Sequence, residues 1–273
     1  MTLTELCNKI DLQKEVKITV QNFANNFDFS TINYIFKDFM IYEKMESSLT
    51  QLQNILKEDK DNIKILTCML YGATKSYNFY KEKKIADKIF FDTMKCFTRF
   101  INESFSKNKK YYFDRSFWTT RQIGCHLFRI GELEYEIIPP KQADNLESET
   151  VIGLHIPSDC NFSPESVEQS IQQAKFFFQT HFPILGNPIY QCHSWLLDQQ
   201  LKDMLKPNSN ILSFQKRFEI FNKGNFNTEF IEWVFNTNTT DYSTLPEKTS
   251  LQKNIKNHIL TGGKIYNSFG RLK

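Results

Sequence analysis

Two short segments of the sequence gather the side chains best suited to acid–base or nucleophilic chemistry. They contain His155, Ser158 and Asp159 in the first segment, and Cys192, His193, Ser194 and Trp195 in the second. Both segments lie at the ends of apolar runs that are typical of β-strands. Because ligands usually bind at the carboxyl ends of neighbouring strands in α/β sheets, we expect a small-molecule ligand between these two strand ends.

Strand alternation limits the chemistry of the second segment. Successive side chains point to opposite faces, so Cys192 and Ser194 share one face while His193 and Trp195 share the other. No adjacent pair is therefore a nucleophile with its base, and a serine or cysteine hydrolase would need a base from elsewhere. The alternative for His155 and His193 is a structural role, as buried histidines whose nitrogens bond to the backbone or to Glu134.

The second half of the sequence predicts the elements that position these groups. Residues 131–138 alternate apolar and acidic side chains, which predicts a strand with one buried and one solvated face. The apolar run 150–157 predicts a central strand, and Ser163 before Pro164 predicts the start of a helix. Further strands are predicted at 189–195, 218–221 and 264–272, with helices near 201–205 and over 250–260. The pattern predicts an α+β architecture.

The first half is different in composition. Through residue 123 the sequence has one glycine, Gly72, and no proline, whereas all eight prolines lie beyond it. Apolar residues recur there at helical intervals, and Thr2 with Glu5 and Ser30 match helix N-caps. We expect five or six helices, and hence a helical domain over 1–125 followed by a mixed-sheet domain over 126–273.

The amino-acid composition limits the expected cellular compartment and the classes of binding partner. The six cysteines are scattered without the close spacing of a zinc site or a disulfide framework, and the N-terminus lacks the pattern of a signal peptide. The net charge of +3, from 34 basic and 31 acidic residues, lacks the excess of basic residues that is typical of nucleic-acid-binding proteins. We expect a soluble cytoplasmic protein with no metal, no membrane partner and no nucleic-acid partner; the oligomeric state stays open.

Six segments together resemble a known family. They are CFTRF (96–100), FDRSFW (113–118), FRIGELEYE (128–136), GLHIPSD (153–159), CHSWLLD (192–198) and FQKRFEI (214–220). In this order they are similar to a bacterial family with an acyltransferase-associated N-terminal helical domain and a C-terminal domain resembling the GNAT acyltransferases. The resemblance implies a GNAT-like mixed sheet and transfer of an acyl group from acyl-CoA, as co-substrate, to an amine.

The resemblance also implies roles for individual residues. His155 lies where GNAT enzymes commonly carry the general base, and His193 would line the acceptor side. Ser158, Asp159 and Ser163 fall on the loop that would hold acyl-CoA, but this loop has no glycine, lysine or arginine. The alternative is therefore a non-catalytic binding or regulatory protein that keeps the fold without a working acyl-CoA loop.

Overall fold

The structure, a computed structural model, describes residues 1–142, 144–226, 228–237 and 239–273. Eight α-helices precede residue 124: α1 (Leu3–Lys9), α2 (Lys14–Ala24), α3 (Asn33–Asp38), α4 (Met45–Leu56), α5 (Ile63–Glu82), α6 (Asp87–Met94), α7 (Cys96–Asn108) and α8 (Ser116–Ile123). Within the described ranges, no helix is long and apolar enough to cross a membrane.

Local signals explain where several of these helices begin. Thr2 and Glu5 form the predicted capping box of α1, each side chain accepting from the other's backbone N–H. The predicted cap at Ser30 is wrong: Asp28 accepts from the Ser30 N–H at the start of a short 3-10 helix. An aspartate two residues upstream competes well for that amide, so Ser30 lies inside the turn.

Within the described part of the chain, six strands form one mixed sheet. They are β1 (Leu127–Ile130), β2 (Leu133–Ile138), β3 (Val151–His155), β4 (Ile189–Ser194), β5 (Phe218–Phe226) and β6 (Tyr266–Leu272). The strand order is β1-β2-β3-β4-β6-β5, with β3 parallel to β4 and β6 antiparallel to both β4 and β5. The remaining helices are α9 (Pro164–His181), α10 (Leu201–Met204), α11 (Asn210–Gln215), α12 (Glu229–Phe235) and α13 (Ser250–Leu260).

The predicted fold class is confirmed, with a helical N-terminal region followed by a mixed sheet. The structure adds β1, which the sequence does not predict, and extends the strand predicted at 218–221 to Phe226. It also adds α12, whose Phe230, Ile231 and Phe235 pack in a buried cluster with Ile255 of α13.

The chain divides into two compact units. The first comprises Met1–Ile130, Glu134–Ile137 and Phe177–Pro183, and the second comprises Gly131–Leu133, Ile138–Phe176 and Ile184–Lys273. The predicted boundary between residues 125 and 126 stays a prediction.

Two glutamates of β2 are buried, contrary to the predicted solvated face. Glu134 accepts from Arg99 Nη2 at 2.7 Å, and Glu136 accepts from Arg121 Nε at 2.9 Å and from the Tyr42 hydroxyl at 2.8 Å. Glu134 and Glu136 are only 2% and 1% exposed. Alternation predicts the two faces of a strand but not what covers the polar one, and here cations from α7 and α8 cover it.

We expect Arg99→Met to lower the free energy of unfolding by about 3–5 kcal/mol, because it leaves the buried Glu134 carboxylate without its cation. Urea unfolding measures this loss. The matched control is Lys88→Met in the Lys88–Asp92 pair, whose lysine side chain is 81% exposed; it should cost less than about 1 kcal/mol. Equal small losses in both variants would contradict a stabilising role for the buried pair.

Candidate active site

The parallel pairing of β3 and β4 brings the two predicted histidines to the same edge of the sheet. The register pairs Val151 with Ile189 and Gly153 with Gln191. Extended by two residues, it aligns His155 with His193, and strand alternation puts both on the same face. Both side chains are half-buried.

His193 is held on two sides. Its Nδ1 lies 2.7 Å from Asp144 Oδ1, and its ring stacks on Phe269 of β6 with centroids 3.9 Å apart and planes 6° apart. An ionised carboxylate only accepts hydrogen bonds, so the contact with Asp144 places a proton on Nδ1, and in the neutral ring the lone pair is then on Nε2. That nitrogen lies toward Gly224 of β5, where an added Cβ would come within 3.2 Å of it.

His155 lies over the neighbouring glycine of its own strand. A Cβ built on Gly153 would lie 3.5 Å from His155 Nε2 and 2.4 Å from Ile138 Cδ1. Because residue 153 is a glycine, there is room over it for both the His155 ring and the Ile138 side chain. The register thus aligns His155 with His193, and this glycine leaves room for the His155 ring over its own strand.

The predicted acyl-CoA loop, 157–163, begins two residues after His155. Ser158 and Asp159 are exposed, and the Cys160 N–H donates to the Pro157 carbonyl at 3.1 Å. Ser163 caps α9, as predicted, by accepting from the Ser166 N–H at 3.2 Å. The structure therefore places Ser158, Asp159 and Ser163 on one loop at the same edge as the histidines.

Two further side chains, one from this loop and one from the turn between β1 and β2, also bond to its amides. Asn161 Oδ1 accepts from the Ser163 N–H at 3.2 Å, and the Asn161 N–H donates to Glu132 Oε2 at 2.8 Å. An anion at the start of α9 would have to compete with these groups for the same N–H donors.

The sequence did not identify Arg217, which lies at the first turn of α9. Its Nη2 donates to the Pro164 carbonyl at 2.8 Å, and its Nη1 contacts the Glu168 carboxylate. Hydrogen bonds from Gln172 and Arg217 lower the pKa of Glu168. Arg217 lies 53 residues beyond Pro164 in sequence, so only its position in the FQKRFEI segment could have drawn attention to it.

Cys192 and Ser194 have structural surroundings. Cys192 is fully buried, and burial raises the pKa of its thiol well above the ordinary value. Ser194 Oγ accepts from the Leu196 N–H at 3.2 Å and caps the short 3-10 helix Trp195–Leu197. Neither side chain is paired with His193 in these contacts, in agreement with the alternation of the strand.

A separate surface cleft of about 430 Å³ lies between α10 and α13. Its lining includes Asp203, Asn254, Asn257 and His258, but none of the predicted site residues. Asn254 Nδ2 donates to the Met204 carbonyl at 2.6 Å, which ties the two helices together. Among the described residues, no three His, Cys, Asp or Glu side chains converge as metal ligands.

Family models cover nearly the whole chain. Residues 1–125 match the N-acyltransferase N-terminal domain, and residues 127–272 match the GNAT-like C-terminal domain. The chain belongs to this GNAT-like acyltransferase family. A search of curated proteins finds no match to it.

Solved acyltransferase structures share the fold of this GNAT-like family member. An acyltransferase in complex with decanoyl-CoA and teicoplanin matches with a TM-score of 0.79 and 19% identity, over 98% of this chain and 86% of that one. An acyltransferase mutant in complex with octanoyl-CoA matches with a TM-score of 0.79 and 18% identity, over the same shares of the two chains. An acyltransferase in complex with CoA and 10C-teicoplanin matches with a TM-score of 0.69 and 23% identity, over 76% of this chain but only 65% of that one.

We expect thiol alkylation of the native GNAT-like protein to label Cys160 first and to spare Cys192. Cys160 is partly exposed, whereas Cys192 is buried and its thiol is held protonated. Mass spectrometry of peptides after iodoacetamide treatment measures both sites, and the same treatment in urea is the control that both thiols can react. Fast labelling of Cys192 in the native protein would reopen a role for it as a nucleophile.

Proposed function

We propose that the protein is an N-acyltransferase that moves an acyl group from acyl-CoA to an amine. The observation that carries the proposal is the His193–Asp144 pair at the strand ends, in which Nδ1 faces the Asp144 carboxylate and the second ring nitrogen, Nε2, lies toward Gly224 of β5. The solved acyltransferases with the same fold, in complex with CoA, decanoyl-CoA and octanoyl-CoA, support acyl-CoA as the donor.

The proposed reaction needs one base. The amine nitrogen attacks the thioester carbonyl carbon, the C–N bond forms, and the C–S bond breaks to release the thiolate. His193 Nε2 accepts the proton that the amine loses and returns it to the thiolate, so amide and thiol are the products. Asp144 offsets the positive charge that the ring gains.

The sequence predicts His155 as the base and His193 on the acceptor side. The geometry favours exchanging these roles, because His193 has a carboxylate on Nδ1 that fixes its tautomer. His155, aligned with it on β3, would then line the same site. It is also the second candidate for the base.

The donor side of the proposal rests on the loop that carries Ser158, Asp159 and Ser163. Arg217 adds a guanidinium at the first turn of α9, where the diphosphate of acyl-CoA would need positive charge. Because Arg217 is already paired with Glu168 and the loop amides bond to Asn161 and Ser163, we expect weak donor binding.

The second candidate function is a binding or regulatory protein without catalysis. The same bonds at the start of α9 favour it, since a loop that caps its own helix has less need of a phosphate. In either case we propose a cytoplasmic protein with a small-molecule ligand, a helical domain over 1–125 and a GNAT-like domain over 126–273. The family-model bounds support this division.

If acyl-CoA binds, a concentration of about 100 times its dissociation constant should raise the free energy of unfolding by about 2.7 kcal/mol. A melting curve with decanoyl-CoA, and another with free CoA, measures the stabilisation. Arg217→Gln should reduce the shift, while Arg271→Gln on β6 is the matched control and should keep it. The absence of any shift with millimolar ligand would favour the non-catalytic alternative.

The same substitution at each of the two histidines, on neighbouring strands, distinguishes their roles. His193→Gln should lower kcat by about 10²–10⁴-fold with little change in the urea midpoint, because it removes the base. His155→Gln, at the aligned position of β3, is the matched control and should keep more of the activity. The opposite order would return the base to His155, and destabilisation by both changes in an inactive protein would contradict the enzyme assignment.

A further inference from the structure

The connection between β2 and β3 contributes a charged group to the strand ends. Asp144 lies in this connection, 49 residues before His193, and the sequence shows it only as part of a polar loop. We propose that Asp144 is the positioning residue of the reaction, which fixes the tautomer and direction of the His193 ring; this rests on the proposed function.

The first support is the pair itself. Asp144 Oδ1 accepts from His193 Nδ1 at 2.7 Å, and the two side chains are 39% and 25% exposed. Phe269 holds the plane of the ring from the other side. With the plane and one nitrogen fixed, Nε2 has a single direction, toward Gly224.

A second bond ties the backbone of Asp144 to the same strand. Gln191 Nε2 donates to the Asp144 carbonyl at 2.6 Å, and Gln191 precedes His193 by two residues on the same face of β4. Gln191 is 1% exposed, and within the described part of the chain its Oε1 atom has no hydrogen-bond partner. The Nε2 group of this buried amide thus ties the backbone of Asp144 to β4, two residues before His193.

Several hydrogen bonds hold the residues that follow Asp144. Asn145 is 4% exposed, and its Nδ2 lies within 3.0 Å of the carbonyl oxygens of Ile138, Pro139 and Glu149. Its Oδ1 accepts from the Glu147 N–H at 2.8 Å. Glu147 in turn pairs with Arg271 of β6 at 2.5 Å. Asp144 is thus followed by a segment that is hydrogen-bonded at several points, which favours precise placement of a supporting group.

The proposal is tested with Asp144→Asn, which keeps the size of the side chain and removes its charge. Nitrogen-15 NMR of the histidine rings at pH 8 reports which nitrogen of His193 carries the proton, and steady-state kinetics with decanoyl-CoA and an accepted amine report kcat and KM separately. We expect a loss of the pure Nδ1–H tautomer and a kcat lower by about tenfold or more, with KM nearly unchanged.

Asp92→Asn is the matched control, because it makes the same change of side chain in the exposed Lys88–Asp92 pair, which includes neither His193 nor any residue of this turn. It should keep the wild-type tautomer and kcat. Asp144→Ala is the second variant, and it should show the same changes as Asp144→Asn even if the amide of that variant distorts the turn. An unchanged tautomer in both Asp144 variants, or a full kcat in them, would overturn the positioning role. If the wild-type protein transfers no acyl group, the proposed function fails, and the NMR comparison alone decides whether Asp144 orients the ring.

Discussion

The parallel hydrogen-bond ladder between β3 and β4 fixes the position of the candidate catalytic groups. It aligns His155 with His193 and leaves both at one edge of the sheet, where β3 runs into the loop that leads to α9. A slip of one residue would exchange the two faces of β4 and put the buried thiol of Cys192 where the histidine ring now lies. The site therefore depends on the pairing of two strands more than on any single side chain.

Much of that pairing is predictable from local pattern. The apolar run 150–157 closed by proline, the Ser163 cap and the alternating segment 189–195 each agree with an observed element. These signals are short in range, because turn residues and side-chain period act within a few residues. Since α9 joins β3 to β4, a parallel arrangement of the two strands and a common edge for their ends follow from the same reasoning.

The remaining parts of the site come from distant positions. Asp144 and Arg217 belong to segments with no strong period, and each finds its partner about fifty residues away in the sequence. Likewise, the alternation of β2 identifies Glu134 and Glu136 as the polar face but contains nothing about Arg99 or Arg121. Single-sequence patterns carry no information about such long-range charge pairing, so these contacts appear only in the folded chain.

The buried glutamates of β2 have a consequence for synthesis on the ribosome. Arg99 and Arg121 precede Glu134 and Glu136 in the sequence, so the cations leave the ribosome before the carboxylates that they pair with. Domains generally fold from the N-terminal side during translation. The helices can therefore present both guanidinium groups while β2 is still emerging, and the nascent strand meets its counter-ions as it loses water.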